Sequence, residues 1–138
     1  EDITVLDISE KALLRAQNRL GDKASKVNWV VSDIITFKPN RTFDVWHDRA
    51  AFHFLTEAEH ISQYVDLASS CVKGYLSVGT FSKQGPVKCS GLNISQYSEA
   101  QLMSVFSSQF HLLNSKTEDH TTPFDTFQNF LFCSFKKK

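Results

Sequence analysis

Three aspartates in this chain follow runs that read as β-strands: Asp7 after Ile3-Thr-Val-Leu6, Asp33 after Val27–Val31, and Asp48 after Phe43-Asp-Val-Trp46. Taken singly, each is equally a helix cap or a turn residue. In series they suggest more, because ligands of open parallel sheets bind beyond the carboxyl ends of the strands. A carboxylate there can take both hydroxyls of a ribose, and a second can accept from an exocyclic amine. The densest chemistry lies in Trp46-His-Asp-Arg-Ala-Ala-Phe-His-Phe54, with two histidines, an acid and an arginine directly after a strand. A histidine near a carboxylate can act as a general base. The competing reading is a structural Asp48–Arg49 pair with His53 packed between Phe52 and Phe54.

Other chemistries find less support. No C-x-x-C, H-E-x-x-H or paired Cys/His spacing is present, so no metal site is expected. Cys89-Ser90-Gly91 is not a nucleophile elbow, and the five glycines never form G-x-G-x-x-G.

The elements that must position these residues alternate regularly. The strand Ile3–Leu6 leads to a helix with a stripe at Ala12, Leu13, Ala16 and Leu20, started by Ser9 or by an Asp7/Glu10 capping box and ended by Gly21. Strands follow at Val27–Val31 and, after the turn Lys38–Thr42, at Phe43–Trp46. Thr56 and Glu59 have capping-box spacing ahead of a helix carrying Ile61, Tyr64, Val65, Ala68 and Val72. A strand Tyr75–Phe81 follows Gly74, then a long loop, Lys83–Tyr97. Ser98 and Gln101 cap a shorter helix with Leu102, Val105 and Phe106. Phe110–Lys116 and Phe127–Phe135 are expected to pair antiparallel across a polar turn around Asp119 and Pro123. The last strand is apolar on both faces, with Phe127, Leu131, Cys133 and Phe135 on one and Phe130 and Phe132 on the other, and so belongs inside a sheet. The expected class is α/β: a doubly wound, mostly parallel sheet with a C-terminal antiparallel hairpin, residues 1–138 forming a single partial domain.

Composition narrows the function. The 138 residues carry 15 Lys plus Arg and 15 Asp plus Glu, which argues against a protein held by overall charge on nucleic acid or an anionic membrane. No apolar run approaches the ~18 residues of a membrane span. Three widely spaced cysteines form no disulfide framework, so a reducing, cytoplasmic setting is expected. The chain opens Glu1-Asp2 directly before a strand, and its one methionine is Met103, which leads us to expect an internal piece of a longer protein.

Together these residues resemble the class I S-adenosylmethionine-dependent methyltransferases over nearly the whole chain. Val5-Leu6-Asp7-Ile8-Ser9 resembles the family's second strand, whose terminal acid holds the cofactor ribose. Ser32-Asp33-Ile34 resembles the end of the third, where an acid and an apolar residue border the adenine. Phe43–Arg49 through His53-Phe-Leu55 is similar to the fourth-strand motif of thiopurine methyltransferases, and the reverse hairpin is the family's variation on the doubly wound fold. The resemblance implies a Rossmann-like fold and S-adenosylmethionine as cofactor, held by Asp7, Ile8, Asp33, Ile34 and His47. It implies Asp48, Arg49 and His53 at the methyl-transfer region, under the Lys83–Tyr97 loop, and a small-molecule acceptor in place of nucleic acid or membrane.

Two departures stand out. The family's first strand and glycine-rich loop should precede residue 1, and the usual Pro-Gly-Gly turn is reduced to Val72-Lys73-Gly74. The expectation is therefore an amino-terminally truncated domain, inactive by itself. Its inward edges around Ile3–Leu6 and Phe43–Trp46 are expected to pair directly, with self-association as a symptom; the alternative is an open slot filled by another chain or by upstream residues. The alternatives are a non-catalytic remnant acting as an association module, or another nucleotide-binding α/β protein.

Overall fold

In a computed structural model, which describes residues 2–122 and 124–138, the chain divides into two compact units, 1–39 and 40–138. The first is a β-α-β unit. Strand β1 (Ile3–Asp7) leads through helix α1 (Glu10–Leu20) and a 3-10 turn (Gly21–Lys26) into β2 (Val27–Val31). The two strands pair in parallel from Ile3↔Val27 to Asp7↔Val31. Ser9 is the α1 cap, its hydroxyl accepting from the Ala12 N–H at 3.2 Å, and the Asp7/Glu10 alternative is not used. Gly21 ends the helix. Leu13 is the buried residue of α1, and the Trp29 indole donates to the Ala24 carbonyl at 3.0 Å.

The second unit begins with β3 (Phe43–Arg49), a 3-10 turn (Phe52–Phe54), helix α2 (Ala58–Cys71) and β4 (Val72–Phe81). Short strands β5 (Lys88–Cys89) and β6 (Leu92–Asn93) then form a small flap before helix α3 (Glu99–Phe106), β7 (Phe110–Thr121) and β8 (Phe127–Lys137). The sheet order is β3-β4-β8-β7, with β3 parallel to β4 and the other pairs antiparallel. Strand β8, apolar on both faces, lies inside the sheet as its pattern predicts. The core is aromatic: Phe52 contacts Tyr64, Tyr97 and Phe106 at ring distances of 4.8, 5.4 and 5.4 Å, and Phe106 meets Phe135 at 5.2 Å.

Several elements depart from expectation. Among the described residues β1 and β3 belong to separate sheets, each hydrogen-bonded within its own β-α-β unit, to β2 and β4 respectively, and not to each other as expected. Helix α2 starts after Glu57 with no side-chain cap, so the Thr56/Glu59 box does not form. Its entry is set by packing, with Leu55 buried just ahead and Tyr64, Val65, Ala68 and Cys71 buried along one stripe. Val72 and Gly74 belong to β4 and not to a turn. A Cβ on Gly74 would lie 2.6 Å from the Asp44 carbonyl oxygen, so glycine is needed there for close approach of β3. Asp119 lies within β7, where its carboxylate accepts from the Asn129 side chain across the hairpin at 2.8 Å. Phe127 is exposed because β8 outruns β4, whose pairing ends at Phe81↔Phe130. The Pro123 part of the expected turn lies outside the described residues.

Candidate functional site

In the first unit the parallel register brings Asp7 and Asp33 to one rim, Asp7 as the last residue of β1 and Asp33 two residues beyond the end of β2. The Asp7 carbonyl accepts from the Ser32 N–H at 3.1 Å, which fixes the two strand ends side by side. Each carboxylate is oriented by its own turn: Asp7 Oδ1 accepts from the Ser9 N–H at 2.7 Å and Asp33 Oδ1 from the Ile35 N–H at 2.9 Å. Ile8 is exposed beside Asp7, and Ile34 is half-buried beside Asp33. Four of the sequence-predicted residues thus form two oriented carboxylates bordered by two apolar side chains. That arrangement suits a flat, hydroxyl-bearing ligand.

The second unit does not gather its candidates in one place. Successive residues of a strand face opposite sides, and β3 divides the motif accordingly. On one face Asp48 is buried, with Oδ2 accepting from the Tyr64 hydroxyl at 2.7 Å and Oδ1 from the Ala51 and Phe52 N–H groups at 3.1 and 3.2 Å. The Trp46 indole donates to the same tyrosine oxygen at 3.2 Å. Burial raises the Asp48 pKa, against the lowering effect of these hydrogen bonds, and burial together with the Asp48 charge pushes Tyr64 well above its ordinary value. On the opposite face His47 and Arg49 are exposed, and the Arg49 guanidinium lies 5.6 Å over the Phe130 ring. His53 is fully buried against Phe81 and Phe54 at 4.6 and 4.8 Å. Neither of its ring nitrogens has a hydrogen-bond partner among the described residues, and burial lowers its pKa to about 4.

Asp48 and Arg49 therefore face opposite sides of β3, and His53 is packed among the aromatic rings. The carboxylate of Asp48 holds the start of the 3-10 turn, whose far end is fastened to the long loop: the Ser95 N–H donates to the His53 carbonyl at 2.8 Å. Sequence reasoning missed Tyr64 as the partner of Asp48, sixteen positions away. The available signal was a tyrosine in the apolar stripe of α2, a position where a buried hydroxyl needs a partner.

No protein-family model matches the chain, and no curated protein does. Solved structures do. The N-methyltransferase NodS of Bradyrhizobium japonicum, crystallised with S-adenosyl-L-homocysteine, superposes with a TM-score of 0.75 at 15% identity, over 99% of this chain and 66% of its own. The fold is that of the S-adenosylmethionine-dependent methyltransferases. The 1,6-didemethyltoxoflavin N1-methyltransferase of Burkholderia thailandensis, with 1,6-didemethyltoxoflavin and S-adenosylhomocysteine bound, gives 0.74 at 15% identity, over 100% of this chain and 62% of its own. Magnesium protoporphyrin IX methyltransferase from Synechocystis gives 0.71 at 15% identity, over 99% and 64%. The chain thus spans about two thirds of the length of these methyltransferase-fold proteins.

Proposed function

We propose that this chain is the adenosine-binding and acceptor-side portion of an S-adenosylmethionine-dependent methyltransferase acting on a small molecule. The observation that carries the reading is the pair of oriented carboxylates, Asp7 and Asp33, at adjoining parallel strand ends in a methyltransferase fold. Asp7 uses one carboxylate oxygen in its turn and keeps the other for a ribose hydroxyl; Asp33 keeps one for the adenine amine. Ile8 and Ile34 supply apolar contact to the base. When bound, S-adenosylmethionine supplies an electrophilic methyl group on sulfur. The protein's task is to position the reactants and, where the acceptor needs it, to take a proton. In this reading Asp48 is a positioning residue that holds the turn between β3 and α2. His47 and Arg49, exposed on β3, are the side chains open to the reactants. His53, buried against Phe81 and Phe54, is closed off from an acceptor in this arrangement. The finer likeness to thiopurine methyltransferases rests on the series Phe43–Leu55.

Residues 1–138 contain no glycine-rich loop, so binding and not turnover is the decisive readout. Calorimetry should show S-adenosylhomocysteine binding that Asp7→Ala weakens by about 1–3 kcal/mol, the loss of a charge-assisted hydrogen bond. Unchanged affinity in Asp7→Ala removes that residue from the site, and absence of binding to the unaltered chain refutes the reading. A second reading, an association module, is favoured by the cross-strand neighbours Val45 and Tyr75, 60% and 49% exposed on one sheet face. Sedimentation showing a dimer that Val45→Glu dissociates, with no S-adenosylhomocysteine binding, would decide for it.

A further inference from the structure

In the second unit a cleft of about 390 Å³ opens between the end of β4, the start of α3 and the edge strand β7. Its apolar part is made by Tyr97 and Leu131, both buried. Its polar wall is unevenly satisfied. The Ser82 hydroxyl is bound to the Asn129 side chain, the Ser98 hydroxyl accepts from the Gln101 N–H, and the Ser115 hydroxyl donates to Glu99. Lys116 is paired with Glu118 at 2.8 Å. Lys83, Gln84 and Thr117 also line the cleft and are exposed at its mouth; Gln84 accepts from the Ser82 hydroxyl at 3.3 Å through its side-chain oxygen, and among the described residues the Lys83 ammonium, the Gln84 N–H₂ and the Thr117 hydroxyl donate to no protein group. What remains free is a cation and two neutral donors. The carboxylate in the wall, Glu99, accepts from the Ser115 hydroxyl and sits in the first turn of α3, the end of a helix that favours negative charge.

We propose that this cleft binds a small organic anion, a carboxylate attached to a flat apolar body. The carboxylate would accept from Lys83, Gln84 and Thr117, and the body would lie against Tyr97 and Leu131. A ligand of this kind matches the free donors and leaves the satisfied hydroxyls undisturbed; a cationic ligand would leave Lys83 facing a like charge. The volume suits a compact molecule and lies at the small end of ligand pockets. Resting on the methyltransferase reading above, the cleft seats the acidic end of the methyl acceptor.

The test uses the whole chain and two probes of one shape, benzoate and uncharged benzyl alcohol, titrated by amide-resolved NMR. Benzoate should shift the backbone resonances of Gln84, Thr117 and Leu131 saturably, and more weakly as salt rises. Lys83→Gln should reduce its affinity about tenfold, Lys83→Arg should restore it, and benzyl alcohol should not saturate. Equal binding of the two probes, an unchanged affinity in Lys83→Gln, or shifts confined to other residues each overturn the proposal. A parallel titration with S-adenosylhomocysteine keeps the two readings apart. Binding of that ligand without benzoate binding sinks the anion cleft alone. Benzoate binding without it leaves the cleft and sinks the methyltransferase reading.

Discussion

Replacing Tyr64 by Phe tests the account of Asp48 as a buried, hydrogen-bonded carboxylate. The substitution removes one oxygen and little volume, so its cost is almost wholly polar. The 2.7 Å hydrogen bond to Asp48 Oδ2 is lost, and the Trp46 indole loses its acceptor at 3.2 Å. A hydrogen bond to a charged group contributes about 1.5–3 kcal/mol, and leaving a buried carboxylate oxygen unpaired adds to that. With Asp48 ionised we expect a loss of about 3 kcal/mol, or roughly 10 °C in melting temperature for a chain of this size.

The sign of the pH dependence follows from the direction of the Asp48 shift. Burial holds its pKa above the ordinary 3.8, so between 3.8 and that raised value the folded state binds more protons than the unfolded one. Asp48's own contribution to stability therefore falls as pH rises through this window. Tyr64→Phe removes an interaction that lowers the Asp48 pKa, so it moves the folded value further up and widens the window. The penalty should be about 1 kcal/mol while Asp48 is protonated in both folded proteins, where only a neutral hydrogen bond is lost, and about 3 kcal/mol once it is ionised in both. Urea denaturation of both proteins at about pH 4 and pH 7 measures this, and titration of other groups cancels in the difference. Asp48→Asn should abolish the pH dependence of the Tyr64→Phe penalty. A penalty equal at both pH values, or one that survives unchanged in the Asp48→Asn background, would falsify the charged-pair reasoning.

His53 gives the opposite sign. Its pKa is lowered from 6.5 to about 4 by burial, so stability is present above about 6.5 and is lost as pH falls toward 4, and His53→Leu should flatten that part of the pH–stability curve. Gly85→Ala places a Cβ 2.6 Å from the Asn129 carbonyl oxygen and 3.0 Å from the Phe81 Cβ; neither can move aside. It should cost about 1–3 kcal/mol in urea denaturation and speed hydrogen exchange at the Ser82 amide, which donates to that carbonyl. Ser98→Ala breaks a complete capping box with Gln101 and should cost about 1 kcal/mol, with Ser98→Asp largely restoring it.

The regular parts of the fold were readable because they rest on local physics. The β-branched runs Ile3–Leu6 and Val27–Val31 and the stripe Leu13–Leu20 specify one β-α-β unit, and Ser98 with Gln101 marks the start of α3 from sequence spacing alone. What escaped depends on partners distant in sequence. Strand β3 was expected to end at Trp46, since His47, Asp48 and Arg49 lack strand character, but the register Asp48↔Val78 and Arg49↔Gly79 extends it along β4. Strand β7 outran its apolar residues for the same reason, carried to Thr121 by pairing with β8 and by the Asp119–Asn129 hydrogen bond. Thr56 and Glu59 show the converse. Correct spacing makes no box when the buried Leu55 and the preceding turn already set where the helix begins.

The same extension of β3 explains why the densest chemical motif in the sequence is not one site. Were the strand to end at Trp46, the next residues would form a loop free to gather His47, Asp48, Arg49 and His53 around one ligand. Because the strand continues to Arg49, the pleat assigns alternate residues to opposite faces. Trp46 and Asp48 go to the α2 side and spend their polar groups on Tyr64 and the turn amides. His47 and Arg49 go to the other face and keep theirs exposed. Spacing in sequence cannot separate these roles, since both sets carry equally reactive side chains. The physical division sorts the expected phenotypes: changes at Trp46, Asp48 or Tyr64 should act first on stability, whereas changes at His47 or Arg49 should leave stability near that of the unaltered chain and act on what the surface binds.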